Sequence, residues 1–183
     1  MSKTYLFLAD GFEEIEALTV VDILRRGGVE IETVSVTGRE EVTGSHNITV
    51  KADRLFEAAG LDDGGLYVLP GGMPGTKNLG EHQGLCGLLK KAKAEGKSLA
   101  AICAAPRVFG ALGFLQGEKA VCYPGNEELL AGAEVLYDEV AVSGRITTSR
   151  GMGTAIAFAL CLLSQLKGEE EAEKIRKGIL YRQ

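Results

Sequence analysis

Cys103 closes a short apolar run, Ser98-Leu99-Ala100-Ala101-Ile102, and is followed by Ala104-Ala105-Pro106. A sharp strand-to-helix turn needs small residues two before and two after its nucleophile, because strand and helix crowd together there. Ala101 and Ala105 hold those positions. A thiol at such an apex faces the unpaired N–H groups of the following helix, which favour the reactive thiolate. The plain alternative is a core cysteine at a strand end. Glu16 is the second candidate. On a helix opening near residue 10 it shares one face with Val20, Ile23 and Leu24, at spacing i, i+4, i+7, i+8. A carboxyl on an apolar stripe is desolvated and its pKa rises, so it can exchange a proton near neutrality. The alternative is a side chain at the stripe's exposed edge. Glu13 and Glu14 fit a simpler role, acids that complement the dipole of a first helical turn.

Other residues supply a pocket. Gly71-Gly72-Met73-Pro74-Gly75 lets backbone approach a ligand, and the N–H groups of Gly71, Gly72 and Ala104 suit an oxyanion formed by addition at Cys103. Arg150, between a strand and a helix, suits an anionic substrate or an ion pair that ties its loop down. Tyr123, His46 and His82 are the candidate bases; His82 reads as solvent-exposed and His46 has no assigned direction. Cys122 and Cys161 read as inert core thiols, and Cys86 as a partly exposed one. Neither G-x-x-x-x-G-K-[ST] nor G-x-G-x-x-G occurs, so no nucleotide loop is expected. The cysteines form no C-x-x-C pair and there are two histidines, which argues against a structural zinc site. No metal and no cofactor are expected.

The elements that must position these residues alternate. Strands are expected at 5–9, 30–36, 66–69 and 99–102, with shorter ones at 120–122, 134–136, 140–142 and 146–148. Helices are expected at 10–26, 55–59, 85–95, 107–112, 153–166 and 169–177, and a hairpin-like excursion at 38–51. Asp10 reads as an N-cap, with Glu13 completing a capping box. Alternation of this kind implies a mainly parallel sheet with helices on both faces. Ligands then bind beyond the carboxyl ends of the strands. That rule gathers Asp10-Gly11, Gly71-Gly72, Cys103 and Arg150-Gly151 at one edge.

Composition bounds the rest. The 183 residues, 45% hydrophobic, suit one domain over 1–183. A net charge of -5 without a Lys/Arg run argues against nucleic acid and anionic membrane as partners. The longest apolar stretch, Thr154 to Leu163, is too short to span a bilayer. The first residues carry no secretory pattern, so a cytoplasmic protein is expected.

Four blocks in register carry a resemblance. They are Asp10-Gly11-Phe12-Glu13-Glu14-Ile15-Glu16, Leu69-Pro70-Gly71-Gly72, Ala101-Ile102-Cys103-Ala104-Ala105-Pro106 and Thr148-Ser149-Arg150-Gly151-Met152-Gly153-Thr154. Together they resemble the DJ-one (Parkinsonism-associated deglycase) branch of the ThiJ/PfpI superfamily over nearly the whole chain. The resemblance implies a flavodoxin-like three-layer α/β sandwich, a mainly parallel sheet, a nucleophile elbow at Cys103 and a homodimer. It implies that Cys103 is the nucleophile and redox-sensitive thiol, with Glu16 protonated beside it and the Gly72 and Ala104 amides lining the pocket. It implies cofactor-independent activity of the glyoxalase III or deglycase type on a small reactive aldehyde or a glycated side chain or nucleotide. Two alternatives stand beside it, a redox-sensing oxidative-stress chaperone and an intracellular peptidase or amidase. The last is disfavoured because Ala104 stands where such relatives place a histidine. Family members often carry a histidine before the proline that here follows Tyr123. A tyrosine, with a pKa of about 10, is a poor base at neutral pH.

Overall fold

The computed structural model describes residues 3–58 and 60–182. In chain order its strands are β1 (Lys3–Leu8), β2 (Ile31–Ser35), β3 (Glu41–Thr43), β4 (Thr49–Lys51), β5 (Arg54–Leu55), β6 (Gly64–Leu69), β7 (Ser98–Ile102), β8 (Lys119–Ala120), β9 (Glu134–Val135), β10 (Val140–Ser143) and β11 (Ile146–Ser149). Its helices are α1 (Glu14–Arg26), α2 (Gly75–Glu81), α3 (Gln83–Ala94), α4 (Pro106–Ala111), α5 (Ala155–Lys167) and α6 (Glu169–Gly178). The central sheet runs β10-β11-β7-β6-β1-β2-β5. Its pairs are parallel except β10 with β11. This is the flavodoxin-like α/β sandwich with a mainly parallel sheet.

Successive side chains of a strand point to opposite faces, and parallel strands are buried on both. Leu6, Leu8, Val68 and Ile102 therefore pack under α1 and α5, with Val20, Leu24 and Phe158. Tyr5, Phe7, Tyr67 and Leu69 pack on the other face under α3 and α4, with Leu85, Leu89 and Phe109. Each such side chain contributes roughly 1.5–3 kcal/mol by leaving water. The two layers leave the carboxyl ends of β1, β6, β7 and β11 side by side, and the loops after them meet.

Local chemistry shifted several expected boundaries. Helix α1 begins four residues after Asp10, with Glu13 at its N-cap position and no side-chain cap. Asp10 is used elsewhere: its Oδ1 accepts the Thr43 N–H at 3.0 Å and its carboxylate pairs with Arg39. The β3–β4 hairpin claims this loop, since Gly11 N–H donates to Thr43 O at 2.8 Å and Ser45 N–H to Phe12 O at 2.8 Å. Residues 55–58 form no helix. Leu55 pairs beside β2, and a turn follows in which Ala58 N–H donates to Leu55 O. Ala59, the last residue of that expected helix, lies outside the described residues. Helix α2 was not anticipated; its glycines at 75 and 80 hide the apolar period. The run at 120–122 is a strand only over Lys119–Ala120, because Val121 N–H turns to Thr148 Oγ1 at 2.9 Å. No helix among the described residues is long and apolar enough to cross a membrane.

Candidate active site

Strand β7 ends at Ile102 and α4 begins at Pro106, so Cys103 occupies a three-residue turn. Its φ is +66°, a left-handed conformation that costs a side-chain-bearing residue energy and persists where surroundings enforce it. Three backbone bonds do so. Cys103 N–H donates to Ser149 O at 2.9 Å, Tyr123 N–H donates to Cys103 O at 2.8 Å, and Ala105 N–H donates to Ile102 O at 3.0 Å. Ala101 and Ala105 are fully buried at the crowded positions flanking the turn. Cys103 itself is 8% exposed. The elbow expected from the spacing is present.

Glu16 lies on α1, fully buried with Val20, Ile23 and Leu24 on the helix's inner side. The Gly71 N–H donates to its Oε2 at 2.8 Å. Gly71 has no side chain because there is no room for one. A Cβ there would lie 2.5 Å from Cys103 Cβ, 2.6 Å from Glu16 Oε2 and 3.0 Å from Cys103 Sγ. The same spot thus locates Sγ and Oε2 close to each other, with the thiol facing the carboxyl. The amides of Gly72 and Ala104 reach the sulfur. Gly71 was expected among the oxyanion donors. Its N–H is instead spent on Glu16, and its carbonyl accepts the Glu13 N–H at 2.9 Å.

Burial, the facing charge of Glu16 and their hydrogen bond push the Cys103 thiol up to about 12, while the Gly72 and Ala104 amides pull the other way. Burial pushes Glu16 up to about 7, against the hydrogen bonds from Cys103 and Gly71 and with the help of the Glu13 charge. Desolvation therefore outweighs the amide donors, and a resting thiolate is not what this pocket favours. The following helix, six residues long, is a weak source of positive potential. Between about pH 7 and 12 the pair holds one proton and one negative charge. Oε1 of Glu16 is buried without a hydrogen-bond partner among the described residues.

Tyr123 stands at the rim, 44% exposed. A Cβ on Gly151 would lie 3.1 Å from the Tyr123 ring and 4.0 Å from Glu16 Oε1, so Gly151 lies between the ring and the surroundings of the free carboxyl oxygen. Arg150 is not ion-paired to a carboxylate among the described residues; it reaches Tyr137 O at 3.4 Å and lies over that ring at 6.0 Å. His82 is no exposed loop residue: its Nδ1 accepts the Leu85 N–H at 3.0 Å and caps α3, and its ring meets Phe56 edge-on at 4.6 Å. His46 reaches Glu14 at 3.0 Å. Glu14 lies in the first turn of α1 and, like Glu13 before it, is 5% exposed. Burial pushes its carboxyl up, but hydrogen bonds from the His46 side chain and from the Glu14, His46 and Ile48 backbone together hold it low, at about 2. Burial raises the thiols of Cys86, Cys122 and Cys161, Cys122 to about 11.

The chain matches the DJ-1/PfpI family over residues 2–165. It belongs to that family. It is 38% identical over 182 residues to Protein DJ-1 homolog B of Arabidopsis thaliana, covering 98% of this chain and 42% of that protein. The chain thus spans less than half of that relative's length. It is 32% identical over 168 residues to a Pyrococcus abyssi protein named a deglycase, covering 90% of this chain and 99% of that one. Among solved structures of the family, oxidised Toxoplasma gondii DJ-1 superposes with a TM-score of 0.93 at 40% identity, covering 100% of each chain. The family thus includes a protein named as an enzyme.

Gly71→Ala tests how tightly the pair is held. Overpacking of this kind costs about 1–3 kcal/mol. A displacement near 1 Å between reacting groups costs about 10²-fold in rate. Thermal melting and turnover of the variant are expected to show both losses.

Proposed function

We propose that the protein is a cofactor-independent cysteine enzyme acting on reactive carbonyls, of the glyoxalase or deglycase type. The observation that carries this reading is Cys103 on its left-handed elbow, set beside a buried Glu16 and facing the Gly72 and Ala104 amides. With methylglyoxal as substrate, Sγ bonds to the aldehyde carbon as Glu16 takes the thiol proton. The carbonyl π pair moves onto oxygen, and a nearby amide steadies the oxyanion until it is protonated to a hemithioacetal. Glu16, having released its first proton to that oxygen, then removes the C1 hydrogen and returns it at C2, while the hydroxyl proton on the C1 oxygen passes to the C2 oxygen through the enediol. This gives the lactoyl thioester, which water hydrolyses to lactate and free thiol. The aldehyde carbon is oxidised and its neighbour reduced, so no external electron carrier is required. A glycated side chain or nucleotide offers the same hemithioacetal carbon. The test is methylglyoxal consumption and lactate release by wild type and Cys103→Ala.

A second reading, a redox-sensing chaperone, draws on the same donors. A sulfinate at Cys103 would accept hydrogen bonds from the Gly72 and Ala104 amides and from protonated Glu16. Mass spectrometry after mild peroxide tests it; oxygen is expected at Cys103 before Cys86. The peptidase or amidase reading has least support. His46 is bound to Glu14 and His82 caps α3, which leaves Cys103 with a carboxyl partner in place of an imidazole.

The reading includes one domain over the chain, a cytoplasmic location and a homodimer. Ile15 and Leu18 are exposed on the outward face of α1, and Leu18 borders a groove with Ile156, Ile179 and Leu180. Light scattering on wild type and Leu18→Glu tests the dimer.

A further inference from the structure

Beside the Cys103 pocket, four side chains from two loops converge on one point. Glu13 and Glu14 open α1. Ser45 and His46 lie on the turn between β3 and β4. Ligand atoms of Glu13, Glu14 and His46 all lie within 4.8 Å of one another. His46 Nδ1 stands 3.7 Å from Glu13 Oε2 and 3.0 Å from Glu14 Oε2. Ser45 Oγ stands 3.2 Å and 3.3 Å from the same two oxygens and 3.0 Å from Nδ1. Corners of a tetrahedron around zinc, with bonds of about 2.0–2.1 Å, are about 3.3–3.4 Å apart. The five separations bracket that edge.

Burial points the same way. Two adjacent carboxylates, each 5% exposed, are costly without positive charge between them. The structure pairs both with one imidazole, whose side chain is 67% exposed. Glu14 is also fixed from behind. His46 N–H donates to its Oε1 at 2.8 Å, and a Cβ on Gly44 would come within 2.7 Å of its Cγ. The oxygen facing His46 is thus held by its own backbone frame. Nitrogen and carboxylate donors in this number suit a divalent zinc-type ion.

We propose that Glu13, Glu14 and His46 form a site for a divalent zinc-type metal ion, with the Ser45 hydroxyl or a water at the fourth corner. The ion takes the place of the imidazole proton between the carboxylates and clamps the β3–β4 hairpin to the start of α1. The clamp lies one peptide from the Gly71 carbonyl that accepts the Glu13 N–H. Cysteine and histidine spacing hid this site, because its acids and its histidine lie 32 positions apart for Glu14 and His46.

The test is calorimetric titration of the Cys103→Ala full chain with Zn²⁺ alone, which removes the nearby thiol as a competing ligand. One ion per chain is expected, with a rise in melting temperature. Co²⁺ in its place is expected to give the visible bands of tetrahedral N/O coordination without sulfur-to-metal charge transfer. His46→Arg keeps a cation between the carboxylates but offers no lone pair. It is expected to stay folded by circular dichroism and to weaken Zn²⁺ binding at least 10-fold, as is Glu14→Gln. Equal affinity in wild-type and His46→Arg backgrounds, or no binding at all, overturns the proposal and leaves an adventitious ion only. The outcome is independent of carbonyl turnover.

Discussion

Cys103→Ala is expected to lower methylglyoxal turnover by on the order of 10³–10⁶-fold, the range seen when a covalent nucleophile is removed. The elbow explains why no neighbour substitutes. Cys122 packs its side chain on the opposite face of the sheet with Phe109 and Leu130. Cys86 is held at a helix start, where its Sγ donates to Gly80 O at 3.3 Å. The variant is expected to fold, since alanine removes one sulfur from a site whose backbone bonds come from main-chain groups. Lactate formation measured against enzyme-free buffer decides the matter. Retention of more than a tenth of wild-type turnover sinks the proposed nucleophile. Cys103→Ser sharpens the result: its hydroxyl keeps the hydrogen bond to Glu16 but attacks poorly, and its activity is expected to fall nearly as far.

Glu16→Gln is expected to move two observables in opposite directions. Turnover falls by about 10²–10⁴-fold, because the amide cannot accept the thiol proton or carry a hydrogen between adjacent carbons. Cys103 alkylation at pH 8 becomes faster, because the charge and the hydrogen bond of Glu16 both raise the thiol and both go. A variant with slower alkylation, or with unchanged turnover, contradicts the proposed division of labour. Stability responds with a definite sign. Folded Glu16 titrates at about 7 against an ordinary 4.5. Between those values the folded chain binds more protons than the unfolded one, so this stabilisation is complete below 4.5 and lost as pH rises through 7. The loss is about 3 kcal/mol, or roughly 6–12 °C in melting temperature. Glutamine has no such titration. Melting curves from pH 4 to 8 are therefore expected to show wild type falling relative to Glu16→Gln.

Three features of this chain were legible one residue at a time. The alternation of β-rich runs and helices determined the sandwich, since parallel strands must be covered on both faces. Alanines at 101 and 105 determined the elbow, since only small residues fit where strand meets helix. The apolar stripe of α1 placed Glu16 on the inner face or its edge, and packing then buried it fully. Tertiary structure alone decided the rest, because each remaining feature depends on a balance between groups distant in sequence. The β3–β4 hairpin takes Asp10 away from the helix cap and turns His46 onto Glu13 and Glu14. Gly71 lends its amide to Glu16 rather than to an oxyanion. The protonation of Cys103 was the sharpest difference. Local sequence places amide donors at the sulfur, whereas the folded chain surrounds it with hydrocarbon and a carboxylate. Desolvation, a property of the whole packed interior, then outweighs the dipoles that a short motif supplies.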